Sequence, residues 1–480
     1  MKIITTIKFQ KALLVICLLF MALNSHGKIT HNLQDEDNIA TINDWPLPKK
    51  SVELFYQYVA EKNPESTQTK VVKNIIENHL LAKHAKQTLG LDVISDQTKV
   101  GFKQEHASYA QFINIIKFQY QEDITLSIQG LKGGDLNGII TQPLSMNRNT
   151  LSGLLSMGKA MEYRLSPAQI KTLKNTQLLK YQFPKSKPQN INLWDIYDRT
   201  NVQEKIALFK GDIKTLTKLV QNHLSSLYIA HWVKQSNDIE HSDLVALQKF
   251  ISDNRIARQY HLYTGSKTAV HHSNQALRVL AKKVTPQEIE RYYQTHIEDF
   301  KTIKKVKARH IQLGSQEQAD HVYQALKAGL DFTAAIKKYS QAKDKHNKIP
   351  GNLGWISRKD ARDNWLHTLP FTQKKVASFS RPFMSPKKHQ PSPVWEIIYL
   401  DERVMGHLSS TSKTVQYNAS KAIAKLKIQQ FFKDTQTALW HEARVNLNKS
   451  KVNTKAFEQQ AAYFNLFNTA HQHGDSEHGH

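Results

Sequence analysis

Histidines are the side chains of this sequence best suited to chemistry. His310 stands in the run 305–313, where alternating residues favour a β-strand. An imidazole there either works in a binding pocket or is a buried side chain satisfied by hydrogen bonds. A second group lies in the polar segment at the C-terminal end and comprises His471, His473, His478 and His480. Their spacing could hold Zn, Cu or Ni from a flexible tail, and the alternative is a polar tail whose histidines have no role at neutral pH.

Several common chemistries are not expected. Cys17 is the only cysteine, and it lies in an N-terminal segment that we expect to be removed. Disulfides, thiolate nucleophiles and cysteine-ligated metals are therefore excluded from the mature chain. His441 is not followed by the second histidine of a zinc-protease motif. Because no phosphate-binding glycine loop and no nucleophile elbow is present either, we predict no cofactor.

The N-terminal residues predict export. Lys2, Lys8 and Lys11 precede an apolar run at 12–23, and small and polar residues follow as far as Gly27. This is the pattern of a secretory signal peptide, too short to favour a membrane-spanning helix. We expect a periplasmic protein, and the alternative is a protein anchored in the membrane by an uncleaved signal.

The chain is strongly basic. It has 66 Lys and Arg against 41 Asp and Glu, a formal net charge of +25, and loss of residues 1–27 removes three lysines and no acid. Such a surface attracts anionic partners. Because nucleic acid is an unexpected partner outside the cytoplasm, we predict no nucleic-acid binding. Acidic client polypeptides or peripheral contact with an anionic membrane surface are expected instead.

Helical patterns occupy most of the chain around the strand of His310. Residues 67–89 place apolar side chains at helical spacing, and Thr-Pro-Gln-Glu at 285–288 is a helix start with a capping box. A long helix is expected over 419–445, with Leu426 among its inward-facing residues. Residues 28–48 are expected to form an extended arm.

Four short motifs follow one another between 306 and 398. They are Val-Lys-Ala-Arg-His-Ile at 306–311, Ala-Leu-Lys-Ala-Gly-Leu-Asp-Phe at 325–332, Tyr-Ser at 339–340 with Gly-Asn-Leu-Gly-Trp at 351–355, and Ser-Arg-Pro-Phe at 380–383 with Trp-Glu-Ile-Ile at 395–398. In this order they resemble the parvulin-type peptidyl-prolyl cis-trans isomerases. The flanking segments 287–293 and 70–89 are similar to helices of exported SurA-like and PrsA-like foldases.

The resemblance implies a pocket that grips a proline ring beside polar side chains. His310 matches the first of the two histidines of the family, and the second falls at Glu396, which either pairs with His310 or marks a pocket that no longer catalyses. The family's Cys or Asp falls at Ala342, with Asp344 two residues further on. The catalytic candidates are therefore His310, Glu396 and Asp344. The substrate-binding candidates are Leu353, Ala361, Trp365 and Phe371.

Together these expectations give an α+β fold in five segments. They are a signal peptide at 1–27, a mostly helical chaperone-like domain at 28–300, an inserted parvulin-like domain at 301–403 with a mixed sheet flanked by helices, a helix completing the helical domain at 404–463, and a disordered histidine-rich tail at 464–480. The predicted function is an exported peptidyl-prolyl isomerase and foldase acting on X–Pro bonds of unfolded or secreted clients.

Two alternatives remain at this point. One is a client-binding chaperone or assembly factor whose isomerase domain has decayed, as Ala342 and Glu396 suggest. The other is a metal-handling accessory protein that uses the histidine-rich tail.

Overall fold

The computed structural model describes residues 29–90, 104–155, 165–267, 274–386 and 392–458. The chain divides into two compact units. The first comprises Met1–Ala276 and Lys427–His480, and the second comprises Leu277–Leu426. The predicted signal peptide and histidine-rich tail lie outside the described residues. Within those ranges, no helix is both long enough and apolar enough to cross a membrane.

Helices and strands occur in both units, which confirms the α+β class. The helices are α1 (Lys49–Lys62), α2 (Gln68–Leu89), α3 (Gln104–Gln119), α4 (Gln121–Gln129), α5 (Arg148–Leu154), α6 (Pro167–Asn175), α7 (Leu193–Tyr197), α8 (Val202–Phe209), α9 (Ile213–Gln235), α10 (His241–Thr264), α11 (Gln275–Ala281), α12 (Pro286–Thr295), α13 (Gln316–Lys327), α14 (Phe332–Tyr339), α15 (Trp365–Thr368), α16 (Lys413–Glu442) and α17 (Lys455–Glu458). The strands are β1 (Ile29–Thr30), β2 (Asn38–Ile42), β3 (Trp45–Pro48), β4 (Ile140–Gln142), β5 (Gln177–Tyr181), β6 (Gln189–Asn192), β7 (Lys301–Leu313), β8 (Asn352–Ser357), β9 (Ser378–Phe379), β10 (Phe383–Met384), β11 (Trp395–His407) and β12 (Val445–Leu447).

The first unit places two small sheets among its helices. One sheet has the strand order β1-β12-β2-β3 and the other β4-β5-β6. The predicted arm at 28–48 supplies three strands of the first sheet, and β12, which follows the long helix α16, pairs with two of them. Pro46 and Pro48 lie on β3 at the end of this sheet, where a missing N–H group leaves the ladder intact.

Local signals set the starts of two predicted helices. The Thr67 side chain accepts a hydrogen bond from the Lys70 N–H group and caps α2. At the start of α12, Thr285 and Glu288 each accept a hydrogen bond from the other's backbone N–H group. The predicted helix starts near 67 and 285 are confirmed.

The inward-facing position expected for Leu426 on α16 is wrong, because this side chain is 53% exposed. The buried stripe of the helix passes through Ala424 and Ile428. Each of these lies two residues from Leu426, which corresponds to about 200° around a helix. Leu426 is therefore turned away from the buried side.

The second unit is built on a five-stranded sheet of order β10-β11-β7-β8, with β9 also pairing with β11. A mixed sheet was expected, but every pairing in this sheet is antiparallel. The reason is the path of the chain between β7 and β8. Helices α13 and α14 lead away from the C-terminal end of β7 and back to it, so that Asn352 pairs with Arg309 and β8 runs in the opposite direction.

The second unit contains the predicted parvulin-like segment 301–403 together with its flanks. Ile289 of α12 packs with Val415 and Ala419 of α16 in a small buried cluster that belongs to this unit. The boundaries predicted at 300 and 404 fall inside the unit and remain a prediction.

Candidate active site

The sheet of the second unit sorts its side chains by alternation. Ile311 and Ile397 pack against α13 and α14 on one face. His310 and Gln312 therefore point to the opposite face. Glu396 joins them there, because it is the cross-strand partner of Gln312. The polar side chains of the site thus come from two adjacent strands whose other face is held in a core.

His310 is 4% exposed and lies between two carboxylates. Its Nδ1 is 2.7 Å from Oε2 of Glu396, and its Nε2 is 2.9 Å from Oδ2 of Asp344. Glu396 is 1% exposed, and its second oxygen accepts a 2.9 Å hydrogen bond from the Gln312 amide. The structure thus brings together the three catalytic candidates and adds Gln312 to them.

The geometry suits a charged imidazole ring. Each ring nitrogen faces a carboxylate oxygen, so an imidazolium donates to both, whereas a neutral ring would turn one lone pair towards a carboxylate. Burial alone would lower the pKa of His310. The hydrogen bonds and charges of Glu396, and then of Asp344, outweigh burial and raise the pKa above its ordinary value of 6.5. One imidazolium between two carboxylates leaves a negative charge in excess.

One oxygen of this network lacks a partner. Oδ1 of Asp344 is buried and accepts no hydrogen bond from any described residue. An acceptor left in this way costs about 1–3 kcal/mol. The Asp344 side chain as a whole is 25% exposed, whereas those of His310 and Glu396 are 5% and 2% exposed. The site is therefore exposed on the Asp344 side, although Oδ1 itself is buried.

Gly351 fixes the loop of Asp344 against the strand of His310. The His310 N–H group donates to the Gly351 carbonyl at 2.9 Å, and the Gly351 N–H group donates to the Asp344 carbonyl at 3.3 Å. Gly351 has φ +62°, and a Cβ atom there would lie 2.4 Å from the His310 carbonyl oxygen. No larger residue fits without moving the strand. At the start of the loop, the buried Ser340 hydroxyl accepts a hydrogen bond from the Gln312 N–H group.

The four predicted substrate-binding residues border the same face. Leu353, Ala361 and Phe371 belong to one apolar cluster, and Leu353 also packs in the neighbouring cluster that includes Trp365. The clusters pack against Val306 and Ala308, which precede His310 by four and two residues on β7 and therefore share its face. The side chains of Leu353, Trp365 and Phe371 are partly exposed and Ala361 is buried. The structure brings the four together, and their role in binding remains a prediction.

Sequence reasoning missed Gln312 and Phe383. Phe383 is the cross-strand partner of Glu396 and packs in the cluster of Trp365 and Leu353. The signal for Gln312 was available, because a residue two positions after His310 on a strand shares its face. Phe383 ends one of the motifs of the resemblance, but its place beside Glu396 depends on the pairing of β10 with β11.

The described part of the chain contains no group of three His, Cys, Asp or Glu side chains arranged to hold a metal ion. The four tail histidines proposed as ligands lie outside the described residues. They are His471, His473, His478 and His480. Metal binding by the tail therefore remains a prediction.

Comparison with known proteins gives one sequence match and several structural ones. No protein-family profile matches the chain. A stretch of 58 residues, 12% of this chain, is 41% identical to the foldase protein PrsA of Caldanaerobacter subterraneus subsp. tengcongensis. The match covers 18% of that protein, so the chain matches less than a fifth of the length of this curated relative.

The solved structures similar to this chain have low sequence identity. PrsA from Bacillus subtilis is 19% identical, with a TM-score of 0.18 over 52% of this chain and 88% of that one. A SurA-like chaperone of Campylobacter jejuni is 9% identical, with a TM-score of 0.24 over 86% of this chain and 99% of that one. The class of protein to which the chain is similar in sequence is that of the PrsA foldases. The sequence match to PrsA confirms this predicted resemblance.

Proposed function

We propose that this chain is an exported foldase whose second unit catalyses cis–trans isomerisation of X–Pro bonds in client polypeptides. The observation that carries the proposal is the Glu396–His310–Asp344 network beside the apolar side chains of Leu353 and Trp365. An apolar surface accommodates a proline ring, and charged groups beside it act on the adjoining amide. The similarity to a PrsA foldase supports the same function.

The proposed chemistry needs no covalent intermediate. Rotation about the peptide bond faces a barrier of about 18–20 kcal/mol, because the C–N bond has partial double-bond character. A site that binds the twisted amide more tightly than the planar one lowers this barrier. Twisting ends the conjugation and removes negative charge from the carbonyl oxygen. A carbonyl oxygen placed near Asp344 is therefore repelled less in the twisted state, so the excess negative charge favours rotation.

His310 acts in this proposal by holding the two carboxylates in place. Both of its N–H groups are used, one by Glu396 and one by Asp344, so the ring has no proton to spare for the client. Its positive charge offsets the repulsion between the two acids in a buried position. Gln312 positions Glu396 through the Oε1 atom that His310 does not contact.

The alternative is a chaperone whose pocket binds proline segments without isomerising them. Two observations favour it. Glu396 occupies the place of the second family histidine and engages His310. Ala342, which is 8% exposed, provides no polar side chain at the place of the Cys or Asp. The same pocket would then serve only to hold clients.

Isomerisation of an Ala-Xaa-Pro-Phe peptide by the full chain tests the proposal. We expect turnover above background, and we expect His310→Ala to lower kcat/KM by about 100-fold, as for loss of a charged group that orders a site. His321→Ala is the matched control, because this exposed histidine is on α13, on the other side of the sheet. Wild-type turnover at the background rate with retained peptide binding would favour the alternative.

The first unit is proposed to hold unfolded clients. Its surface includes Phe118 and Leu126, which are 41% and 65% exposed, and exposed apolar side chains can bind apolar segments. We expect the full chain to suppress aggregation of a denatured protein, with His310→Ala as effective as the wild type. Loss of suppression in this variant would show that holding depends on the isomerase pocket.

Export to the periplasm and peripheral membrane contact are also proposals. The apolar run at 12–23 and the net charge of +25 support them. Cell fractionation of the full chain tests the first. Co-sedimentation with anionic and neutral vesicles tests the second, and equal sedimentation with both would contradict it.

A further inference from the structure

The segment that borders the candidate site is strongly cationic. Residues 341–362 contain six Lys and Arg and two Asp, a net charge of +4. Lys343, Lys345 and Lys348 belong to the loop that carries Asp344. None of the three forms an ion pair with any residue that the structure describes. The charge of this loop is therefore available to a bound molecule.

Arg358 places a further cation at the edge of the apolar clamp, which is our name for the side chains of Leu353, Ala361, Trp365 and Phe371. Its guanidinium carbon lies 4.8 Å from the centroid of the Phe371 ring, and Phe371 packs in the same cluster as Leu353. The acid two residues away, Asp360, accepts hydrogen bonds of 3.1 and 2.6 Å from the N–H and hydroxyl groups of Ser357. No carboxylate of the described residues pairs with Arg358.

We propose that this pocket selects proline segments in which Asp or Glu adjoins the proline. The proposal rests on the proposed function, because it names the clients of the same pocket. Arg358 pairs with the client carboxylate, since its planar guanidinium is held beside the clamp and can donate two hydrogen bonds. The lysines of the 343–348 loop attract the same carboxylate over a longer distance.

The acids of the site do not oppose this selection. Oδ2 of Asp344 and Oε2 of Glu396 are both hydrogen-bonded to the His310 ring. The net charge of +4 already includes Asp344, and adding an imidazolium and the Glu396 carboxylate leaves it unchanged. A client with lysine next to proline meets the same cations and is repelled. The expected order of preference is therefore Glu, then Ala, then Lys.

Three Ala-Xaa-Pro-Phe peptides, with Glu, Ala or Lys as Xaa, test the selection on the full chain. Both kcat/KM and the dissociation constant are measured, the latter by fluorescence anisotropy of labelled peptides. We expect a preference for Glu over Ala of about fivefold, since exposed ion pairs are individually weak and several act together. The preference should fall in 0.5 M NaCl, which shortens the range of the attraction.

Substitutions distinguish the contribution of Arg358 from that of the loop lysines. Arg358→Gln and the combined Lys343→Gln, Lys345→Gln and Lys348→Gln variant should each lower the Glu-to-Ala ratio, and Arg358→Lys should retain part of it. Lys327→Gln is the matched control, because this exposed lysine ends α13 on the helix-covered side of the sheet. It should leave the ratio unchanged.

The outcomes distinguish this selection from the isomerase function. Equal values for the Glu and Ala peptides, or a ratio that Arg358→Gln leaves unchanged, overturn the selection while turnover still supports the isomerase. If no peptide is turned over but the Glu peptide binds more tightly and loses this advantage in Arg358→Gln, the selection stands and the catalytic proposal fails. Absence of binding by all three peptides overturns the selection.

Discussion

Each unit contains an ionic cluster that includes a histidine, but acids and bases are present in opposite ratios in the two clusters. In the first unit, Asp253 is 2% exposed and lies 2.8 Å from the ring of His79, 2.8 Å from Lys249 and 3.4 Å from Lys86. One carboxylate thus meets three basic side chains. In the second unit, one histidine, His310, meets two carboxylates.

The difference separates a structural cluster from a candidate site. Both oxygens of Asp253 have partners, so the cluster is complete, and it joins α2 to α10. Oδ1 of Asp344 has no partner among the described residues, so the second cluster is incomplete. Buried charge occurs in both places. What distinguishes the second cluster from the first is an unpaired acceptor on a carboxylate whose side chain is partly exposed.

The largest effect is expected from removing the anion of the complete cluster. Asp253→Ala leaves His79 and two lysines without their carboxylate, and loss of one partner from a buried ion pair costs about 3–5 kcal/mol. Lys86 and Lys249 are 38% and 33% exposed, so water compensates in part and we expect about 3 kcal/mol. Urea unfolding of the first unit measures this loss in the free energy of unfolding. The more exposed partner supplies the control, Lys86→Gln, which should cost less than about 1 kcal/mol.

The next effect concerns the pKa of His310. Glu396→Gln removes the larger of the two influences that raise this pKa while burial still lowers it, so the pKa should fall. Asp344→Asn should lower it less. NMR titration of the His310 ring measures both, and a larger fall in Asp344→Asn would contradict the assignment of Glu396 as the stronger partner. We also expect Glu396→Gln to lower kcat/KM by about tenfold.

The two clusters should respond to pH in opposite directions. Burial raises the pKa of Asp253, but hydrogen bonds from His79 and Lys249 outweigh it and lower the pKa below 3.8. Its stabilisation is present above 3.8 and is lost as the pH falls through the lowered value. The raised pKa of His310 gives stabilisation below 6.5 that is lost as the pH rises through the raised value.

Hydrogen exchange of each unit at acidic, neutral and alkaline pH tests this contrast. The first unit should lose protection towards acid, and the second should lose it towards alkali. Asp253→Asn should remove the acid response of the first unit, and His310→Gln should remove the alkaline response of the second. The same pH response in both units would show that these clusters do not govern it.

The smallest effect is expected at Gln312. Gln312→Leu leaves Oε1 of Glu396 buried without its donor, which should cost about 1 kcal/mol. If Gln312 positions Glu396, the pH profile of kcat/KM should shift as well. Gln324→Leu, at an exposed position of α13, is the control and should change neither. A stability loss with an unchanged pH profile would reduce Gln312 to a structural role.

The parts of the fold that sequence could predict are those set within a few residues. The capping side chains at Thr67 and Thr285 act on N–H groups three residues away, and the alternation in 305–313 places His310 on a strand. The contact of His310 with Glu396 joins residues 86 apart in the chain. It depends on the β7–β11 register, which includes two irregularities. Resemblance located Glu396, but its hydrogen bonds follow only from that register.

The contact of Asp344 with His310 could not be predicted from the sequence for a different reason. It depends on the positive φ of Gly351 and on the hydrogen bond between the backbones of Gly351 and Asp344. A mixed sheet was expected for the parvulin-like segment. The two helices instead return the chain to the end from which it left, and nothing in their lengths alone shows this.

The loop between Gln341 and Gly351 is fixed at both ends. The Gln341 N–H group donates to the Gln312 carbonyl at 2.8 Å, and the Gly351 carbonyl accepts a hydrogen bond from the His310 N–H group. Between Asp344 and Pro350 the side chains are exposed or half-buried. Because the closure cost of a loop grows slowly with its length, other sequences could be grafted at 345–349 without displacing the histidine. The fold thus offers a short exposed segment whose sequence can be exchanged, through which the proposed foldase could be engineered towards chosen clients.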